Sequence, residues 1–157
     1  METSSKVKEE VLSFLKRNNT AVIATIQNGK PQASTIHYIV DDEWNIYFLT
    51  HRNTSKYVNI SSNEQVAVVV GTGPKHITVQ AMGIAIICAG EEMKRISRQF
   101  ETLKESPSLQ HWPVNEMAKF RDKNPVVFKF EPIELSFMNL DDDDYPYSKS
   151  VGYYHVM

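Results

Sequence analysis

The chain has 157 residues, a formal net charge of −2 and a single cysteine, Cys88. This length suits one domain, the near-neutral charge gives no electrostatic support for a nucleic-acid partner, and one cysteine excludes both an intramolecular disulfide and a cysteine-based metal cluster. No apolar run is long enough to span a membrane, and the N-terminus, METSSKVKEE, lacks the apolar core of a signal peptide. We therefore expect a cytoplasmic protein without a membrane partner, folded as one domain over residues 1–157.

The N-terminal residues 1–18 are predicted to form an amphipathic helix, whose apolar residues recur on one face: Val7, Val11, Phe14 and Leu15. The next segment, Thr20–Gln27, is apolar almost throughout, as expected of a strand that is covered on both faces. Asn28-Gly29 follows, and both residue types tolerate the positive φ of a type I′ turn. A second strand is therefore expected to return antiparallel over residues 31–40.

A polar turn at residues 41–43 leads into a third strand, Ile46–Thr50, so the first three strands are predicted to form a meander. The β-branched run Gln65–Val70 indicates a central strand. Residues 76–88 give the longest strand, in which Gly83 indicates a bend or a close backbone approach. Helices are expected within residues 91–122.

The last strand is expected over residues 125–138, and its apolar residues change phase: first Val126, Phe128 and Phe130, then Ile133, Leu135 and Phe137. One extra residue at Glu131-Pro132 would explain the change as a β-bulge, which turns a strand at a barrel corner. The tail, residues 139–157, is expected to be either ordered against a partner subunit or loose.

Six antiparallel strands with short turns, helices at the breaks and no βαβ alternation predict a mainly β fold with some α-helix (β+α). The expected architecture is a six-stranded antiparallel β-barrel with peripheral helices. Residues 20–88 supply most of the strands and the helix discussed next.

The junction between the third strand and the following helix has the chemistry of an anion site. Thr54 is a good helix N-cap, and Ser55 and Lys56 lie in the first turn, beside exposed N–H groups at the positive end of the helix dipole. A phosphate monoester fits there. An isolated Thr-Ser-Lys more often means a capped surface helix with a solvated lysine, but the hairpin before it and the strands after it favour the phosphate site.

Other reactive residue types give weaker indications. The five histidines show no metal-ligand spacing, so no metal site is predicted. Cys88, at the end of a strand, is interpreted as a small apolar filler. No catalytic residue can be singled out.

The order of these motifs over residues 20–83 resembles the FMN-binding split-barrel proteins related to pyridoxamine 5'-phosphate oxidase. The matching pattern is strand, Asn-Gly turn, strand, Tyr-Phe-Leu-Thr, polar turn, Thr-Ser-Lys, Asn-ended helix, Val-rich strand and Val-Gln-Ala-Met-Gly-Ile-Ala. It covers about half of the chain closely and most of the rest in layout. The resemblance implies an FMN-binding split barrel with Greek-key-like topology.

The resemblance also implies cofactor-binding residues. The FMN phosphate maps to the end of the third strand and the start of the next helix: Thr50, Thr54, Ser55 and Lys56. Leu49, before Thr50, is also expected to bind the cofactor. The isoalloxazine ring and ribityl chain map to strand two and to the strand before Gly83: Ser34, Thr35, Ile36, and Thr78 or Gln80. Proteins of this family bind FMN at a homodimer interface, where the partner often supplies an aromatic residue, and Trp112 is the candidate here.

The chain departs from the oxidase proper at the residues that clamp the vitamin B6 substrate. Ser34 stands where the oxidase has an arginine, Ile39 or a neighbour stands where it has a lysine, and its Arg-rich C-terminal segment has no counterpart here. The resemblance thus implies an FMN-dependent oxidoreductase that uses NAD(P)H or another donor and an unknown small acceptor rather than pyridoxamine phosphate. The alternatives are the same fold binding the deazaflavin F420 or haem, and a non-catalytic flavin-binding or dimeric scaffold module.

Overall fold

The computed structural model of the chain describes residues 5–71, 76–103, 125–139 and 153–156. These residues form helices and strands in the following order: α1 (Ser5–Arg17), β1 (Thr20–Gln27), β2 (Lys30–Val40), β3 (Ile46–Thr50), α2 (Ser55–Ser62), β4 (Gln65–Val70), β5 (Ile77–Ile87), α3 (Gly90–Leu103), β6 (Val126–Asn139) and β7 (Tyr153–His155). None of the helices in the described ranges has the length and apolarity needed to cross a bilayer.

The first six strands close into an antiparallel barrel. Their order around the sheet is β3-β2-β1-β4-β5-β6, and β3 also pairs with β6, which joins the two edges. Strands β1, β2 and β3 form a meander and β4 returns beside β1, which is the strand order of a Greek key. The predicted six-stranded antiparallel barrel with peripheral helices is therefore confirmed.

The turn between β1 and β2 fixes the register on which the functional site depends. Asn28 and Gly29 have φ angles of 51° and 74°, the positive values that a type I′ turn requires. The two strands pair up to this turn, and the resulting register places Thr25 opposite Gln32. The predicted hairpin is confirmed, and it brings two polar side chains together on the inward-facing row of the sheet.

The barrel interior is covered by α1. Val11 and Leu15 of this helix are fully buried among the inward-facing side chains of the strands. The hydroxyl group of Tyr38 on β2 donates a hydrogen bond to the main-chain oxygen of Leu15 at 2.8 Å. The predicted N-terminal helix and its apolar face are both confirmed.

A second, smaller apolar cluster lies between the barrel and α3. Its buried members come from β3, the residue after β5, α3 and β6: Tyr47, Cys88, Ile96, Phe100 and Val127. Burial raises the pKa of the Cys88 thiol to about 11. A protonated, buried thiol in an apolar cluster agrees with the interpretation of Cys88 as a filler.

The bulge predicted in the last strand is present, with one difference. Gly83 on β5 pairs with Pro132 and Met82 pairs with Glu134, so Ile133 is the extra residue. A Cβ atom on Gly83 would lie 2.0 Å from the main-chain oxygen of Glu131, so the predicted close backbone approach is also confirmed. Ile133 was grouped with Leu135 and Phe137, but only the last two are buried, because the bulge turns the Ile133 side chain outward and leaves it 64% exposed.

The tail contributes a short strand that sequence analysis did not predict. β7 pairs antiparallel with β6 at Ser136, Phe137 and Met138. This stretch of β6 lies beyond the part that β3 occupies, which ends at Phe130. β7 therefore fills the edge that β3 leaves open, and Val156 after it is buried.

Candidate functional site

The predicted N-cap of α2 is present and uses all of its hydrogen-bonding capacity within the chain. The Thr54 hydroxyl accepts from the N–H group of Tyr57 at 3.3 Å and donates to the main-chain oxygen of His51 at 2.8 Å. The Thr50 hydroxyl oxygen lies 2.8 Å from the Thr54 hydroxyl oxygen. Because a hydroxyl carries one proton, Thr50 is the donor in this pair. Both hydroxyl protons are donated to groups within the chain. Thr50 and Thr54 therefore stabilise the junction between β3 and α2 but have no donor left for an anion.

The donors that remain at this junction belong to the next two residues. The main-chain N–H groups of Ser55 and Lys56 lie in the first turn, where no intrahelical acceptor exists, and no described residue accepts a hydrogen bond from them. The Ser55 side chain is exposed. The start of α2 therefore offers two amides, a hydroxyl and an ammonium group to a ligand, at the positive end of the helix dipole.

Ser55 and Lys56 line a cavity of about 390 Å³ between the β1–β2 hairpin and α2. We call it the polar cavity, and its lining residues are Thr25, Gln32, Ala33, Ser34, Ser55 and Lys56. The structure thus brings together Ser34, Ser55 and Lys56, which sequence analysis placed in the same site from separate segments of the chain.

Lys56 carries the charge of the polar cavity. Its side chain is partly buried, and this burial lowers the pKa of its ammonium group below the ordinary value of 10.5. None of the carboxylates in the described part of the chain forms an ion pair with it. A partly desolvated cation without a counter-charge attracts an anion, and the neighbouring donors favour one with several oxygen atoms.

Three polar residues around this cavity were not among the predicted cofactor-binding residues. Asn59, on the inner side of α2, is 1% exposed. Its side-chain nitrogen Nδ2 donates to Thr25 Oγ1 at 3.0 Å and to Gln32 Oε1 at 2.8 Å. A polar side chain inside a short amphipathic helix was the one available signal, but the sequence alone did not show its partners.

Several predicted residues lie away from the polar cavity. Ile36 is 3% exposed and belongs to the barrel core. Leu49 packs against the cluster beneath α3. Trp112 lies outside the described residues.

Two further predicted residues share the outward face of the sheet with Thr35. The strand registers place Thr35, Val22, Val69 and Gln80 in one row across β2, β1, β4 and β5. Thr35 and Gln80 are exposed at the two ends of this row, roughly 14 Å apart at the usual strand spacing. Thr78 lies on the same face of β5, and its hydroxyl is buried without a hydrogen-bond partner among the described residues.

No group of three or more His, Cys, Asp or Glu side chains that could hold a metal ion occurs within the described ranges. The groups that the polar cavity offers to a ligand are therefore hydroxyl, amide and ammonium donors.

Comparisons with known proteins agree with this picture. The sequence model of the pyridoxamine 5'-phosphate oxidase family matches residues 7–139. General stress protein 26 of Bacillus subtilis is 26% identical over 134 residues, which cover 85% of this chain and 89% of that protein.

Two solved structures share the fold. A pyridoxamine 5'-phosphate oxidase-related, FMN binding protein from Nostoc punctiforme has a TM-score of 0.61 at 14% identity, over 91% of this chain and 89% of that chain. A heme binding protein from Mycobacterium smegmatis has a TM-score of 0.66 at 15% identity, over 96% of this chain and 60% of that chain. At such identities these two structures establish the barrel fold alone.

Proposed function

The chain belongs to the pyridoxamine 5'-phosphate oxidase family, and from this premise we propose that it is an FMN-binding flavoprotein that acts as an oxidoreductase. The phosphate of FMN lies in the polar cavity, held by Ser55, Lys56 and the first-turn amides of α2. The isoalloxazine ring lies along the outward face of the sheet, between Thr35 and Gln80.

The observation that carries this proposal is the partly buried ammonium group of Lys56, which has no carboxylate partner among the described residues. Ser34 and Ser55 line the same cavity. A phosphate dianion accepts charge-assisted hydrogen bonds from such donors and neutralises the lysine. The cavity volume of about 390 Å³ also lies within the range of about 300–1,000 Å³ that is usual for small-molecule sites. The residues present therefore fit the phosphate end of FMN.

The ring end of the cofactor needs a flat apolar surface with a few polar contacts at its edge. Val22 and Val69 form the middle of the outward row, and Thr35 and Gln80 are the polar residues at its ends. The bound flavin supplies hydride or electron transfer, while these residues orient the ring and exclude water from one of its faces.

We also propose that the functional unit is a homodimer with the cofactor at the subunit interface. The outward face carries exposed apolar side chains, among them Met82, which is 55% exposed, and Ile133, which is 64% exposed. A second cavity of about 420 Å³ lies between them, lined largely by apolar residues of β1, β4 and β5. A partner barrel on this face would bury these side chains and cover the second face of the ring.

The residues of the polar cavity also bear on the substrate and on other cofactors. Ser34 stands where the oxidase proper carries an arginine, so the substrate proposed here is a small acceptor other than pyridoxamine phosphate, with NAD(P)H as a candidate electron donor. Haem requires an axial His, Cys, Met or Tyr ligand, and none of the six described residues that line the polar cavity is of these types. FMN is therefore favoured over haem at this site.

The test is an absorption spectrum of the purified full chain before and after reconstitution with FMN and desalting, together with a sizing column. We expect a retained flavin spectrum in stoichiometric amount and the mass of a dimer. A colourless protein after reconstitution would contradict the proposal, a deazaflavin spectrum would replace FMN by F420, and bound FMN that no nicotinamide donor reduces would favour a non-catalytic module.

A further inference from the structure

The amino group of Lys56 belongs to a cavity that contains no other charged side chain among its described lining residues. The other five lining residues come from β1, β2 and the start of α2, and all of them are neutral: Thr25, Gln32, Ala33, Ser34 and Ser55. The nearest charged residue along the chain is Arg52, which donates from Nη1 to the Tyr57 hydroxyl oxygen at 2.7 Å. The charge of the cavity lining therefore depends on one amine.

The surroundings of Lys56 favour its neutral, nucleophilic form. The residue is partly buried, and none of the described carboxylates forms an ion pair with it. Burial lowers the pKa of its ammonium group below the ordinary value of 10.5, because desolvation disfavours the charged form. The neutral amine, with its free lone pair, therefore makes up a larger fraction than in a lysine of ordinary pKa. Desolvated lysines of this kind act as nucleophiles in proteins.

The other groups of the polar cavity indicate which electrophile fits beside this amine. The hydroxyl groups of Ser34 and Ser55 are hydrogen-bond donors, and such donors favour an anion. An acyl phosphate carries its phosphate directly on the acyl carbon, so an anion bound in the cavity brings that carbon into the space that the amine lines. The cavity of about 390 Å³ admits a small molecule, whereas a modifying enzyme reaches an exposed lysine more easily.

We propose that Lys56 is an acylation site that reacts directly with acyl phosphates, and that its acylation expels the ligand of the polar cavity. In this step the neutral amine attacks the carbonyl carbon of the acyl phosphate. A C–N bond forms, the C–O bond to the phosphate breaks, and inorganic phosphate leaves with the electron pair of that bond. The nitrogen gives up one proton to the released phosphate or to water, and the product is a neutral amide.

Acylation changes what the polar cavity offers to a ligand. The amide keeps no charge, so the charge-assisted hydrogen bond from Lys56 is lost, and the acyl group takes up part of the cavity. The regulatory consequence rests on the proposed function, because it takes the FMN phosphate as the ligand that is expelled, whereas the acylation itself does not. A bound phosphate should protect Lys56 in turn, since it stabilises the ammonium form. Acylation therefore acts on the cofactor-free protein.

The experiment treats the cofactor-free full chain with acetyl phosphate and measures the initial rate of acetylation at each lysine by peptide mass spectrometry. Two lysines are internal controls: Lys30 is exposed on the hairpin, and Lys129 is partly buried but paired with Glu92 and Glu131. We expect Lys56 to react fastest, Lys30 more slowly and Lys129 most slowly. FMN at ten times its dissociation constant should slow Lys56 about tenfold and leave Lys30 unchanged.

A second acyl donor tests the assignment to acyl phosphates. Acetyl-coenzyme A carries no anion on its acyl carbon, so it should prefer Lys56 over Lys30 less strongly than acetyl phosphate does. An equal preference with both donors would overturn this assignment.

Two variants test the consequence for ligand binding. Lys56→Gln carries the neutral amide that acetylation creates, and it should bind FMN about thirtyfold more weakly than the wild type does, as should the acetylated wild-type chain. Lys56→Arg keeps the charge without an acylatable amine, so treatment with acetyl phosphate should leave its FMN affinity unchanged. A loss of affinity in treated Lys56→Arg would assign the effect to another lysine and overturn the inference.

The rates decide the site independently of flavin binding. A rate at Lys56 no higher than that at Lys30 would overturn the inference. If the wild-type chain retains no flavin, the proposed function fails, and the comparison of the three lysines still decides whether Lys56 is an acylation site. Inorganic phosphate then replaces FMN as the protecting anion, and it should slow Lys56 while leaving Lys30 unchanged. Equal rates at Lys56 with and without phosphate would contradict an anion site beside the amine.

Discussion

Two lysines in different parts of the molecule show how differently a partly buried charge can be used. Lys129 on β6 lies 3.0 Å from a carboxylate oxygen of Glu131 and 3.7 Å from one of Glu92, and the hydrogen bond with Glu131 raises its pKa. Lys56 has no carboxylate partner in the described ranges, and burial lowers its pKa. A lysine that is paired with carboxylates stabilises the fold, whereas a partly buried lysine without a carboxylate partner indicates a ligand-binding site.

The hydroxyl groups near the two lysines differ in the same way: the one near Lys129 contacts carboxylates, and those near Lys56 contact no described carboxylate. On the Lys129 side, the Tyr47 hydroxyl lies 3.1 Å from both Asp41 and Glu92, and it ties α3 to the barrel. Burial, strengthened by the two carboxylates, raises the pKa of Tyr47, so the phenol remains protonated and structural. The serines of the polar cavity form no comparable contacts with described carboxylates.

The largest effect is expected from replacing the uncompensated lysine. Lys56→Met should weaken FMN binding by about 2 kcal/mol, or about thirtyfold, because it removes a charge-assisted hydrogen bond to the phosphate. The unfolding free energy of the cofactor-free protein should stay equal or rise, since a desolvated ammonium group is lost. FMN titration and urea unfolding check both results. Unchanged FMN affinity in Lys56→Met would contradict a ligand-binding role for Lys56 and leave it no different in function from Lys129.

Tyr47→Phe should act on stability alone. The variant removes a buried hydroxyl bonded to ionised groups, and we expect the free energy of unfolding to fall by about 1.5–2 kcal/mol. Urea denaturation measures this loss. FMN affinity in the same variant should remain within about twofold of the wild type, a change below about 0.4 kcal/mol; a larger change would show that the two parts of the molecule are coupled.

The pH dependence of FMN binding sharpens the contrast further. Because burial lowers the pKa of Lys56, its ammonium group loses its proton below pH 10.5, the ordinary value. FMN affinity should therefore fall as the pH rises toward that value, by at most the factor expected for Lys56→Met, because the neutral amine no longer forms a charge-assisted hydrogen bond with the phosphate. The stability of the cofactor-free protein should move the other way in this window, since the unfolded chain binds more protons there.

Lys56→Arg is the matched control for that titration. An arginine keeps its charge throughout the range, so the affinity of this variant for FMN should be flat with pH. An equal decline in both proteins would assign the titration to another group.

The smallest effect is expected from Lys129→Met. Lys129 forms ion pairs with two partly exposed carboxylates. Together they contribute about 0.5–1 kcal/mol to stability, and salt screens them. Thermal unfolding at low and high ionic strength should show a small loss that shrinks with salt. A loss as large as that of Tyr47→Phe would mean that Lys129 is an essential part of the attachment of α3.

The elements whose cause is local could be predicted from the sequence. The Asn28-Gly29 turn and the Thr54 cap follow from residue types at adjacent positions, and the structure confirms both. β7 was missed because three residues are too few to show an alternating hydrophobic pattern. Its position depends on the free edge of β6, with which it pairs. Ile133 was misplaced because an alternating pattern does not show which residue a bulge expels.

The candidate site could be predicted only in part for a similar reason. Ser55 and Lys56 stand next to the cap and could be inferred from it. The contacts of Asn59 join residues 27 and 34 positions apart, and they depend on the register of the hairpin and on the docking of α2. The sequence also could not show that the protons of Thr50 and Thr54 are consumed within the chain, because this depends on distances rather than on residue types.

The most direct test of the central claim is the ³¹P NMR signal of FMN in the reconstituted protein, followed as a function of pH. A free phosphate monoester titrates near pH 6. If the phosphate lies against Lys56 and the donors of the polar cavity, the bound signal should remain that of the dianion well below this pH, and Lys56→Met should restore part of the titration. A bound signal that titrates like free FMN would contradict the account, because it would leave the phosphate in solvent and Lys56 without its ligand.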